Sequence, residues 1–259
     1  MSRATGVLRR TNVVGWLLVV LLAALLDVAV RGFDLHDSIA APTDALRALV
    51  DGLSDGTLSG EIGTTLERYL EGFALAIVAG VTLGVLIGSS RTLLDASSVV
   101  IEFLRPIPAV ALIPVAYLFF DLGTPMIRFV IAYAVVWPIL VNTLYGVRGV
   151  DRMLHDVART SGVGRPGRLV RVTLPAALPS IWTGIRVSAP IALLVGVTAE
   201  YLTLTGGIGA YLQQKQNAGE LPEMYAAVVL TAILGYTINV VLRATERRVV
   251  FWAGEERVA

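Results

Sequence analysis

Residues 148–179 read RGVDRMLHDVARTSGVGRPGRLVRVTLPAALP. The stretch holds six arginines and lies between two apolar runs, Met126–Val147 and Ser180–Leu202, each long enough to cross a bilayer. Asp151 is placed to cap a short helix running to about Ser161. Gly162 and Gly164 stop that helix, because glycine tolerates the left-handed exit conformation. Pro166 suits the first turn of a second helical piece. Leu174-Pro175 and Leu178-Pro179 are expected to turn the chain back into the membrane. Met153, Leu154, Val157 and Ala158 recur at helical spacing, flanked by Arg152 and Arg159. The pattern describes a rigid helical knob held out from a membrane. Two uses fit it: a basic loop resting on lipid headgroups, or a docking element for a groove on a cytoplasmic partner.

The rest of the chain supplies the membrane. Of 259 residues, 55% are hydrophobic and 16% charged, and mean hydropathy is +0.73. Soluble domains carry about 25% charged residues. So little charge cannot cover a water-facing surface, which excludes an ordinary cytosolic protein, a disordered chain and a nucleic-acid binder. Six apolar segments qualify as spans: Val13–Val30, Gly72–Gly88 with a run-in from Glu61, Ala109–Phe120, Met126–Val147, Ser180–Leu202 and Met224–Leu242. The third is short, and Ser97–Leu104 can lengthen it upstream. With the N-terminus cytoplasmic, the inner segments 1–12, 89–105, 148–179 and 243–259 hold 15 of the 21 basic residues, and the outer segments hold 4. That bias places both termini inside. Arg9-Arg10 before an apolar run also suits a signal peptide, but the run ends at Asp27 and Arg31 without a small-x-small site, so the first span is expected to stay.

Smaller features have stated expectations. Pro42-Thr43-Asp44 starts a helix and Gly52 stops it. Its residues Ala45, Leu46, Leu49, Val50 and Leu53 form an apolar face, to lie on the outer membrane surface or pack on the bundle. Arg186 sits about 9 Å into the fifth span, within reach of the headgroups by snorkelling. Glu200 ends that span, either contacting the short loop at 206–209 or facing a vestibule. Asp27 and Arg128 are interfacial anchors. Pro114, Pro138 and Pro190 bend spans three to five, and bent spans suit a gated path. Pro114, Asn142, Pro190 and Glu200 are the candidate pathway or gating residues. Gly72, Gly80, Gly84 and Gly88 put small residues on one face for close helix packing.

Catalytic and metal chemistry find no foothold. Cysteine is absent, and the two histidines, His36 and His155, are far apart in sequence. Lys215 lies among glutamines, so there is no P-loop. A secondary carrier or channel remains the alternative. It would more often show paired charges or broken helices at mid-bilayer.

The loop resembles the signature of binding-protein-dependent ABC importer permeases, E-A-A-x3-G-x9-I-x-L-P. Here it reads Asp156-Val157-Ala158, three residues, Gly162, nine residues, Val172-Thr173-Leu174-Pro175, with every spacing kept. The departures are Asp156 for Glu, Val157 for Ala and Val172 for Ile. The likeness extends over about residues 42–252. Phe103–Pro108 with Leu112–Pro114 resembles the start of the third span in permeases for sulfonates, nitrate and taurine. Trp137–Asn142 with Gly146–Gly149, and Ala199-Glu200 with Gly207–Gly209, resemble the same group.

The resemblance implies an all-α polytopic membrane protein with the type I ABC importer permease fold. It divides the chain into residues 1–60 (a helix plus an external loop), 61–248 (the transport domain with its loop 148–179) and 249–259 (a cytoplasmic tail). It implies a permease in the prokaryotic plasma (inner) membrane, importing a small anion of the sulfonate, taurine or nitrate type. Its partners would be a second copy of itself, two ATP-binding cassette subunits, an extracytoplasmic substrate-binding protein and the lipid bilayer. ATP would bind those subunits, and this chain would hold no cofactor and catalyse nothing. Asp156, Val157, Ala158, Gly162, Val172, Leu174 and Pro175 would dock the ATPase.

Overall fold

A computed structural model describes the backbone of residues 3–33 and 39–254, and the side chains of 14–33 and 39–252. His36 lies outside the described residues, as do the side chains of Arg9 and Arg10. The described chain is all helix. In order it runs α1 (Arg3–Gly32), α2 (Pro42–Ser54), α3 (Thr57–Ser89), α4 (Arg91–Leu104), a 3-10 turn (Ala109–Leu112), α5 (Ile113–Phe120) and α6 (Thr124–Arg148). It continues with α7 (Arg152–Thr160), α8 (Arg165–Arg168), a π turn (Leu169–Thr173), α9 (Leu174–Thr203), α10 (Ile208–Ala218), α11 (Leu221–Val249) and a last 3-10 turn (Phe251–Gly254). Five helices are long and apolar enough to cross a membrane, and α4 with α5 makes a pair bent by 85°.

The glycines of α3 fix how the core is assembled. A Cβ on Gly72, Gly80, Gly84 or Gly88 would come within 2.9, 2.9, 2.6 or 3.0 Å of Ile131, Ile139, Thr143 or Val147 on α6. Only glycine allows these backbones so close. The partner's number rises in step with the glycine's, so α3 and α6 run parallel. Between α6 and α9 the order reverses: Gly146 meets Ser180, Gly184 meets Asn142, and Gly196 meets Ile131. Those two helices are antiparallel. Ile127, Ile131, Val135, Ile139, Ala189 and Ala192 fill the seams, fully buried.

Parallel packing of α3 and α6 decides the status of the bent pair. The chain leaves α3 at one membrane face and must enter α6 at the other. Residues 91–120 therefore return across the bilayer as the third crossing, and the spans among the described residues number six. The Tyr133 hydroxyl donates to the Leu104 carbonyl at 2.6 Å, which also accepts from the Ile107 amide at 3.2 Å, so α6 grips the turn that ends α4. Phe120 against Phe129, ring centroids 5.2 Å apart, ties α5 to α6.

Two outer elements depart from expectation. Helix α2 does pack on the bundle: Ala45 and Leu49 are buried, while Leu46 and Val50 stay exposed. Gly52 does not stop it. The helix runs on to Ser54, and Gly52 is where Leu58 approaches, 2.8 Å from a built Cβ. Helix α1 stands nearly clear of the bundle. It is held by Trp16 edge-on to Tyr236 at 5.9 Å, and by Asp27 and Arg31 clamping Thr43 and Asp44 of α2. Asp27 is thus a helix clamp rather than only an interfacial end.

Candidate functional site

The loop between α6 and α9 folds as a helical knob. Asp151 caps α7, its carboxylate accepting from the Met153 amide at 2.9 Å. Gly162 ends α7 at φ +77°. Its amide donates to the Arg159 carbonyl and that of Val163 to the Ala158 carbonyl, at 3.1 and 2.9 Å. This is the paired closure that a left-handed glycine permits. Gly162 is needed here for its conformation, since a built Cβ meets nothing within 4 Å.

The expected turns at Pro175 and Pro179 are absent. Pro175 lies in the first turn of α9 and Pro179 inside it. Helix continues from Arg165 to Thr203 as one 39-residue unit. Proline withholds a hydrogen bond from the carbonyl four residues earlier. The π turn at Leu169–Thr173 lies directly before these prolines, and such widened turns accommodate misfit without ending a helix.

The residues of the signature separate into two groups. Asp156 and Val157 are exposed on α7, with Met153 and Leu154 beside them. Ala158 is 7% exposed and turns inward, so it leaves the outward apolar stripe to which its spacing assigned it. Val172 and Leu174 are half-buried and Pro175 is exposed. Thr173, between them, is buried. The outward surface of the knob is thus Met153, Leu154, Asp156 and Val157, while Ala158, Gly162 and Val172–Leu174 shape its frame.

The pathway candidates do not gather at one place. Pro114 is exposed on α5 and Pro190 on α9. The Asn142 amide donates to the Pro138 carbonyl at 2.8 Å, beside the α6–α9 crossing. Pro190 lines a cavity of about 290 Å³ between α9 and α11, with Arg186, Asn239 and Glu246. Arg186 does not snorkel alone: its guanidinium pairs with Glu246 at 3.1 Å. Arg128 likewise pairs with Glu71 of α3 at 2.6 Å.

Glu200 is 1% exposed and belongs to a buried polar node at the outer ends of α3 and α9. Its carboxylate accepts from Arg68 at 3.2 Å, from the Thr65 hydroxyl at 2.8 Å and from the Gly209 amide at 3.2 Å. Arg68 also donates to the Thr205 and Gly206 carbonyls and to the Thr124 hydroxyl, at 2.8, 2.9 and 3.2 Å. Glu61 takes the Gly207 amide and Thr65 the Ile208 amide. The glycines at 207 and 209 lie where a Cβ would collide with Glu200 and with the α9 backbone. The node therefore locks the 204–209 loop, and α10 after it, onto α3 and α9. Of the two expectations for Glu200, contact with the short loop is what this chain displays. Arg68 and Glu61 do not stand out in the sequence, where they read as the polar run-in to the second span.

The knob and its bundle have relatives among known proteins. Residues 76–251 match the family described as binding-protein-dependent transport system inner membrane component. The nitrate import permease NrtB of Leptolyngbya laminosa is 32% identical over 197 residues, 76% of this chain and 71% of that protein. The bicarbonate transport system permease CmpB of Synechococcus elongatus is 33% identical over 177 residues, 68% of this chain and 63% of the relative. In solved structures, a chain of the inward-facing MetNI methionine ABC transporter superposes with a TM-score of 0.66 at 21% identity, over 74% of this chain and 95% of that one. At that identity the likeness concerns the fold.

Proposed function

Because this chain belongs to the binding-protein-dependent transport system inner membrane components, and is an ABC importer permease subunit, we propose that it forms the path for a small anion in the prokaryotic inner membrane. The relatives named for nitrate and bicarbonate support that substrate class, and sulfonates and taurine fall within it. The working unit is two copies of this chain, two ATP-binding cassette subunits that hold and hydrolyse ATP, and an extracytoplasmic binding protein that selects the cargo. Residues 61–248 act as the transport domain, 1–60 as a peripheral helix with an outer loop, and 249–259 as a cytoplasmic tail.

The observation that carries this reading is the knob. Helix α7 presents Met153, Leu154 and Val157 to solvent at 69%, 47% and 58% exposure, framed by a capped start and a glycine stop. An isolated apolar stripe on a rigid short helix is a surface for a groove. Asp156, Val157 and the exposed neighbours face the ATPase, while Ala158, Gly162, Val172, Leu174 and Pro175 hold the knob in shape. When the ATPase grooves close on ATP, α7 moves with them. The unbroken helix from Arg165 to Thr203, about 58 Å at 1.5 Å per residue, carries that movement to the outer node. Pro114, Asn142 and Pro190 lie along helices that tip in this motion. It is a hinge between two packed states, biased by the difference in ATP affinity between them.

Uptake of labelled nitrate, bicarbonate, taurine and alkanesulfonates by proteoliposomes holding the complete transporter tests the substrate class. ATP-dependent uptake of at least one oxyanion is expected. Strict specificity for a neutral or cationic nutrient overturns the anion assignment. Transport by the permease alone would favour a secondary carrier.

A further inference from the structure

The cations of this chain are sorted by side. Arg31, Arg47, Arg68, Arg128 and Lys215, on or near the outer face, each have a carboxylate within 4.0 Å. Among the described residues, no arginine of segments 89–105, 148–179 or 243–252 has one. Among the described residues the outer charges are paired within the chain, whereas the inner arginines, Arg186 with its Glu246 apart, have no carboxylate partner.

Two of the unpaired arginines converge on a hollow. It measures about 540 Å³ and is lined by His155 of α7, Arg165 and Arg168 of α8, buried Thr173, and Gly88 and Val147 at the inner ends of α3 and α6. No acidic side chain lines it. We propose that this hollow binds a phosphate-type oxyanion, presented by the headgroup of an anionic lipid of the inner leaflet. Guanidinium forks match phosphate oxygens in geometry and charge. The position favours a headgroup over a free ion, because three apolar spans end around the hollow and Val170 beside it is 62% exposed.

The hollow does not compete with ATPase docking. At 3.6 residues per turn, His155 and Ala158 lie roughly 150° around α7 from Met153 and Val157. One side of α7 is left for the ATPase, and the other rests on the lipid site. A headgroup held there ties the knob to the ends of α3, α6 and α9. The proposal rests on the permease reading only for which membrane face this is. Its test reads lipid retention, so it fails or succeeds separately from transport.

The permease–ATPase complex is placed in nanodiscs of phosphatidylcholine with phosphatidylglycerol, and lipid retained on the released protein is counted by native mass spectrometry. Three forms are compared: wild type, Arg165→Gln/Arg168→Gln, and Arg243→Gln/Arg247→Gln as a control of equal charge on the same face. Each guanidinium supplies a charge-assisted hydrogen bond to the phosphate that glutamine does not replace. At about fivefold apiece, phosphatidylglycerol retention should be about 30-fold weaker in the first double variant, which is about 2 kcal/mol at about 1.4 kcal/mol per tenfold. The control should stay near wild type. Equal loss in both variants, or no loss in the first, overturns the site. Stabilisation of wild type by inorganic phosphate in pure phosphatidylcholine, without phosphatidylglycerol retention, overturns the lipid assignment. If the double variant does not assemble, the single variants Arg165→Gln and Arg168→Gln take its place. Each should weaken retention about fivefold, and unchanged retention in both overturns the site.

Discussion

Replacing Arg68 with methionine should remove more stability than any other single charge change in this chain. Arg68 and Glu200 expose 5% and 1% of their side chains. The arginine satisfies one carboxylate oxygen, two backbone carbonyls and one hydroxyl. A buried acceptor left unpaired costs about 1–3 kcal/mol, and breaking a buried ion pair from one side about 3–5 kcal/mol in total. At about 2–4 °C per kcal/mol for a chain near this size, the melting temperature of the purified permease should fall by about 6–20 °C. Arg68→Met/Glu200→Met should lose less than the two single variants together, by about 1–3 kcal/mol, because neither charge is then stranded. Limited proteolysis should show the 204–220 segment opening first in Arg68→Met. A melting shift below about 2 °C, or strict additivity in the double variant, would refute the claim that the node locks the outer loop.

Other predictions concern the seam, the knob and the outer helix start. Gly84→Val puts side-chain atoms where Thr143 Cβ and the Leu140 carbonyl already lie 2.6 and 2.8 Å from a built Cβ. It should cost at least about 1–3 kcal/mol and reduce the monodisperse fraction on size-exclusion chromatography, whereas Gly63→Ala, with nothing within 4 Å, should not. Gly162→Ala forces a Cβ into the left-handed region at about 1–2 kcal/mol and should speed hydrogen exchange across α7, with Gly162→Asn milder. Asp55 accepts from the amide and hydroxyl of Thr57, both of which hold its carboxyl below the ordinary value. The depressed value means its support for the α3 start is present above about pH 4 and lost as the pH falls through the folded-state value. Asp55→Asn should remove that acid sensitivity, read by exchange at residues 57–60.

The spans were legible because lipid demands long apolar helices. The Gly72–Gly88 face was legible for a similar reason: four small residues at spacings of four and eight have one common use. The polar pairs were not. Arg68 and Glu200 stand 132 positions apart and Arg186 and Glu246 60 apart, and one chain's pattern does not say which helices meet. Pro175 and Pro179 misled because proline usually ends a helix, and the π turn that lets the chain continue has no sequence mark of its own. Ala158 misled for a subtler reason. Helical spacing assigns a residue to a face, but the width of the outward stripe is set by what the rest of the loop covers.

The coupling claim depends most on α7, and one reconstitution tests it directly. Proteoliposomes containing the permease, its ATPase and the binding protein are assayed for hydrolysis with and without transported anion, for wild type and Met153→Glu/Val157→Glu. The wild type should show hydrolysis stimulated by the loaded binding protein. The double variant, folded but with its outward apolar stripe charged, should lose that stimulation and release the ATPase on purification. Unchanged stimulation and unchanged ATPase recovery in the variant would contradict α7 as the coupling element.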